Sequence, residues 1–194
     1  MLSLAQRFDL LRADLMASPP RISVFANLPF AMLVYEPENE WNMRAHARTL
    51  ETQLRETGQE VEWVSLAALL WEIVEKIEGI EAIADLEERW GFEKAQEQIN
   101  RYLTQPTLRN TLPDTLANRL SVLDKEKQIV FLYRAGIMAP EVYHVSTLLD
   151  QMQGRTEVTT ILFYPGTAIG EHDLRFMDLE GRETSRNYRG KPYF

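Results

Sequence analysis

Apolar positions along this chain fall into two rhythms, and their alternation predicts an α/β fold. Residues 3–16 place Leu4, Phe8, Leu11 and Leu15 at spacings of four, three and four, the stripe of an amphipathic helix that Ser18-Pro19-Pro20 ends. Phe30-Ala31-Met32-Leu33-Val34-Tyr35 is apolar throughout, as a strand buried on both faces should be. After Glu36-Pro37-Glu38-Asn39-Glu40, a second helix capped by Asn39 or Asn42 runs to Thr57, where Gly58 closes it. Residues 60–65, with Val61, Trp63 and Val64, form the next strand. Strand, helix and strand of these lengths imply parallel neighbours.

The same pattern continues beyond residue 65. A helix over 66–77 starts at the cap Ser65. Helical spacing of Ile80, Ile83, Leu86 and Trp90, and again over 92–103 and 112–123, predicts a helical insertion at about 72–124. Its glutamates are expected to form a solvated face. Residues 128–133 are a third strand, 140–153 a helix stopped at Gly154, and 159–164 a fourth strand that Pro165 and Gly166 end and turn outward. Leu174-Arg175-Phe176-Met177 alternates as a fifth, edge strand. The expectation is a single α/β domain over 1–194, with a mostly parallel sheet of about five strands flanked by helices. Residues 175–194 would supply the edge strand and a basic tail.

Composition narrows the function. The chain has 194 residues, a formal net charge of −8 and no cysteine. Thiol catalysis, disulfides and cysteine-ligated zinc are therefore excluded, and the charge argues against a general nucleic-acid binder. No apolar run approaches the ~20 residues that span a bilayer, and the N-terminus lacks the basic-then-apolar pattern of a signal peptide. The cytoplasm is the expected compartment. From residue 175 onward five basic residues face three acidic ones, so the tail is basic while the body is acidic.

Residue type and spacing bear on four chemistries. A phosphate-binding loop needs two glycines five apart followed by lysine. Here Gly166 and Gly170 are four apart and Glu171 follows. His46, His144 and His172 show no ligand spacing, which leaves no metal site on histidine. Glu36, Glu38 and Asp173 could instead converge at the carboxyl edge of a parallel sheet and hold a divalent ion, as in a nuclease or phosphohydrolase. Thr167 has no histidine tied to it by motif, and Asp124-Lys125-Glu126-Lys127 reads as a charged turn. No cofactor is implied.

Three segments carry a resemblance. Phe131-Leu132-Tyr133-Arg134-Ala135-Gly136, then Val145-Ser146-Thr147-Leu148-Leu149-Asp150-Gln151-Met152-Gln153-Gly154, then Leu162-Phe163-Tyr164-Pro165-Gly166-Thr167 resemble, in order and spacing, the BrxB family of BREX phage-defence systems. The resemblance implies a non-catalytic accessory subunit. It would act in an assembly with a phosphatase-like PglZ protein, the methyltransferase PglX and the ATPase BrxC, with PglZ the first partner to expect. Membrane contact and direct nucleic-acid binding are not expected. An adaptor needs aromatic and arginine anchors, and Tyr164, Arg186, Tyr188, Arg189, Tyr193 and Phe194 have that composition, as does Trp41.

Overall fold

A computed structural model describes residues 2–22, 28–105, 110–139, 141–169, 173–181 and 190–194, together with the backbone of 183–184. Helix α1 (Leu4–Leu15) carries a reciprocal capping box between Ser3 and Gln6. It precedes strand β1 (Phe30–Tyr35), a 3₁₀ turn (Pro37–Asn39), helix α2 (Glu40–Glu56) and strand β2 (Glu60–Ser65). Four helices follow: α3 (Leu66–Ile77), α4 (Ile80–Trp90), α5 (Phe92–Thr104) and α6 (Leu112–Leu120). Strand β3 (Gln128–Tyr133), a 3₁₀ turn (Ala135–Met138), helix α7 (Val145–Met152) and strand β4 (Thr160–Ile169) complete the main layers. The short strands β5 (Asp173–Phe176), β6 (Glu183–Thr184) and β7 (Lys191–Tyr193) close the chain.

The fold is the expected α/β architecture. Strands run in the order β2-β3-β4-β1-β7, and every pairing along that path is parallel. Alternate residues of each strand point to opposite layers. Met32, Val34, Val130, Leu132 and Leu162 join one core with α3, α5, α6 and α7, while Leu33, Phe131, Ile161 and Phe163 join another with α1 and α2. Both faces are therefore apolar, which is why β1 reads as an unbroken apolar run.

Three expectations are corrected. Strand β4 does not stop at Tyr164: it continues through Pro165 and Gly166 to Ile169. Its first part pairs with β1 up to Tyr35 opposite Pro165, and from Gly166 it pairs antiparallel with β5. The proline costs no ladder bond to β5, because that pairing begins one residue later. Gly166 is required there by contact, since a Cβ would lie 2.2 Å from the Arg175 carbonyl oxygen. Next, β5 is not an edge: it lies between β4 and β6. Last, α7 begins at Val145 rather than near residue 140, and Tyr143 ahead of it is buried in the core.

The C-terminal strand is tied to the N-terminal helix. Asp14 accepts hydrogen bonds from the Lys191 ammonium and from the Tyr193 hydroxyl (2.7 Å), and Arg21 pairs with it at 3.2 Å. Burial pushes the Asp14 carboxyl up, but these hydrogen bonds and charges outweigh it and hold the group below the usual carboxylate value. Burial together with Asp14 raises the Tyr193 hydroxyl, so it stays a donor.

Candidate functional site

In an open α/β sheet, ligands collect outside the carboxyl ends of the strands, where neighbouring strands send their chains to opposite faces. Here β1 and β3 flank β4; β1 leads to α2 on one face, and β3 leads to α7 on the other. Between them lies a cleft of about 430 Å³ lined by Tyr35, Glu40, Arg134, Ile137, Pro165 and Met177, among others. The Tyr35 hydroxyl donates to Glu40, which also pairs with Arg44 at 2.6 Å. Burial, and then Glu40, push the Tyr35 hydroxyl far above its ordinary value, so it remains protonated. The Arg44 guanidinium lies over the rings of Trp41 (5.2 Å) and Tyr133 (5.5 Å), and Arg134 approaches Tyr133 from 5.7 Å.

Backbone strain gathers at the same edge. Among the described residues, the non-glycine positions with left-handed φ are Arg134 (59°), Met177 (52°) and Asp178 (57°). Two of the three line the cleft and the third adjoins it. Such conformations persist only where surrounding contacts enforce them. Here the Met177 amide donates to Pro165 (2.9 Å), and Thr167 donates its hydroxyl proton to Asp178 (2.6 Å). Thr167 is thus a buttress for the turn.

Glu36 is likewise committed. Arg7 is buried with its guanidinium donating to the Val34 carbonyl (2.8 Å), the Leu2 carbonyl (3.1 Å) and the Glu36 carboxylate (2.9 Å). Burial raises the Glu36 carboxyl, but its own backbone amide and Arg7 outweigh that and hold it below the usual value. Among the described residues, Glu36, Glu38 and Asp173 form no group able to hold a metal ion. The convergence expected of a divalent-ion hydrolase is therefore not found in this arrangement. His46 stacks on Phe8 (ring centroids 5.3 Å apart), His144 occupies the N-cap position of α7 without a side-chain cap bond, and His172 lies outside the described residues.

Of the residues expected at a partner contact, Tyr164, Tyr193 and Phe194 are among the described residues. Tyr164 is fully buried, its ring edge-on to Phe176 at 5.3 Å. Tyr193 is buried against Asp14, and Phe194 packs on the core. As placed, these rings serve the interior, because strand pairing carries them there. Arg186, Tyr188 and Arg189 lie outside the described residues. Trp41, by contrast, is 77% exposed. Sequence reasoning missed Arg7, although its position four residues before Leu11 and three after Leu4 put it on the inward stripe of α1.

No helix among the described residues is long and apolar enough to cross a membrane. Comparison with curated proteins and with solved structures gave no match. A comparison with protein families matched residues 62–191, from β2 to the first residue of β7, to the family described as BREX protein BrxB. The match includes all three motif segments, at the end of β3, along α7 and within β4, and the chain belongs to the BrxB family, a component of BREX phage-defence systems.

Proposed function

We propose that this chain is a non-catalytic adaptor of a BREX anti-phage assembly, acting in the cytoplasm and binding a PglZ-like protein. Through that contact it supports host DNA methylation and phage restriction by the assembly, whose other members include a PglX-type methyltransferase and a BrxC-type ATPase. Membership of the BrxB family carries the reading. Two further features support it. At the carboxyl edge Arg7 pairs with Glu36 and Arg44 with Glu40, as scaffold contacts do. Large aromatic side chains also stand in solvent, with Trp90 72% and Phe92 57% exposed, and such residues are enriched at protein interfaces.

Co-expression of the tagged chain with each protein of its BREX locus tests the reading. The PglZ-like protein should co-purify stoichiometrically and bind the purified chain in calorimetry. If it does not bind while another BREX protein does, the partner is wrong but the adaptor role stands. If no BREX protein binds, the adaptor role is overturned.

A further inference from the structure

Helices α4 and α5 form a hairpin in which α5 packs into the core through Ala95, Ile99, Tyr102 and Leu103, while α4 adds little to it. Only Ile83 of α4 is buried, and the helix packs mainly along α5. At its tip, Gly91 adopts φ 87° and ψ 167°, a conformation open essentially to glycine alone. The turn leaves Trp90 and Phe92, one on either side of Gly91, 72% and 57% exposed. Two large aromatic side chains in water at one helix turn are costly to leave uncovered.

The charge around them selects what covers them. Residues 72–104 hold nine acidic and four basic side chains, net −5 of the chain's −8. Glu87, Glu88 and Glu93 are exposed near the tip. Beside Phe92, a groove of about 800 Å³ between α5 and the segment before α7 is lined by three carboxylates, Glu93, Glu97 and Glu141, against one guanidinium, Arg101, with His144 at its edge. Glu97 pairs with Lys94 at 2.7 Å, whereas Glu93 and Glu141 make no ion pair among the described residues. A second copy meeting this surface through a two-fold axis would set net −5 against net −5. An anionic membrane or a nucleic acid would be repelled in the same way.

We infer that the tip of the α4–α5 hairpin is a docking surface for a protein partner with an apolar pocket rimmed by lysine and arginine. Trp90 and Phe92 fill the pocket, and the acidic groove receives the basic rim. This rests on the adaptor reading and adds the surface to it.

Calorimetric titration of the purified chain with the PglZ-like protein, and in parallel with the methyltransferase and ATPase of the same locus, is the test. The double substitution Trp90→Ser, Phe92→Ser should weaken binding at least about 30-fold, the loss typical of interface anchors. Its thermal melting should stay that of the parent chain. The charge reversal Glu87→Lys, Glu88→Lys, Glu93→Lys should also weaken binding. It should flatten the salt dependence that the parent shows between 50 and about 300 mM. Trp41→Ser, at the carboxyl edge of the sheet, should bind as the parent does.

Parent-like binding by both hairpin variants overturns the inference and leaves the adaptor role intact. Loss in Trp41→Ser alone also overturns it and moves the interface to the carboxyl edge. Hairpin-dependent binding to a BREX protein other than the PglZ-like one upholds the surface and changes the partner. If no BREX protein binds the parent chain, both readings fall.

Discussion

Trp63 and Trp90 have the same side chain and opposite surroundings. Trp63, on β2, packs edge-on to Phe131 (5.2 Å) and Tyr133 (5.5 Å) and lies alongside Phe163 (6.2 Å), while Arg48 covers it at 4.3 Å. Its indole N–H donates to Glu51 (2.9 Å), a buried carboxylate that also pairs with Arg48 and Arg55. Trp90, at the tip of the hairpin, stands 72% exposed. In the sheet, the half-buried Trp63 ring is packed against other side chains and its polar atom is satisfied. On the hairpin the Trp90 ring is held out. Two regions of one chain thus divide the tasks of staying folded and of meeting another molecule.

That division can be broken experimentally, beginning where the effect should be largest. Phe163 is fully buried among Phe8, Phe131 and Trp63. Phe163→Ala should cost about 3–5 kcal/mol in urea unfolding; a cost below about 1 kcal/mol would mean that the sheet core is looser than its packing indicates. Gly166→Ala places a methyl group 2.2 Å from a backbone oxygen that cannot swing aside. It should cost about 2–3 kcal/mol by forcing β4 and β5 apart. Hydrogen exchange at β5 should rise in that variant while α4 and α5 stay unchanged.

The Asp14 anchor gives a smaller effect with a pH signature. Its carboxyl is held below the unfolded value near 3.9, so the stability it contributes is present above that pH and is lost as pH falls through the lower, folded value. Asp14→Asn should destabilise the chain by about 1–2 kcal/mol at pH 7. Thermal melts of the parent and of Asp14→Asn should therefore converge below about pH 4. Smallest of all, Trp90→Ser should change stability by no more than about 0.5 kcal/mol. A larger loss would show that the tip serves the fold, and would remove the contrast between the two tryptophans.

Much of this fold was legible because apolar period and strand burial are local properties. The strands at 30–35, 60–65 and 128–133 coincide with β1, β2 and β3, and the Ser65 cap at α3 is present, its hydroxyl accepting from the Ala68 amide (3.2 Å). Errors came where a local signal met a distant partner. Pro165-Gly166 has the composition of a turn, yet β1 and β5 reach it from elsewhere in the chain and keep it extended. Tyr164 and Tyr193 have the composition of interface anchors, and pairing buries both. Glu36 looked free to bind a cation because Arg7, 29 residues earlier, is brought to it only by the packing of α1 on the sheet.

The sequence by itself determined the alternation of helices and strands, the apolar faces that make the sheet parallel and doubly covered, and the motif segments that mark the BrxB family. These follow from side-chain period and residue order, which need no knowledge of distant contacts. Only the tertiary structure decided the strand order, the return of the C-terminus to β1 and the commitment of Arg7, Glu36 and Asp14 to internal pairs. It also decided which aromatic rings are enclosed and which face water. Those outcomes depend on pairings between residues far apart in the chain, and no local pattern encodes them.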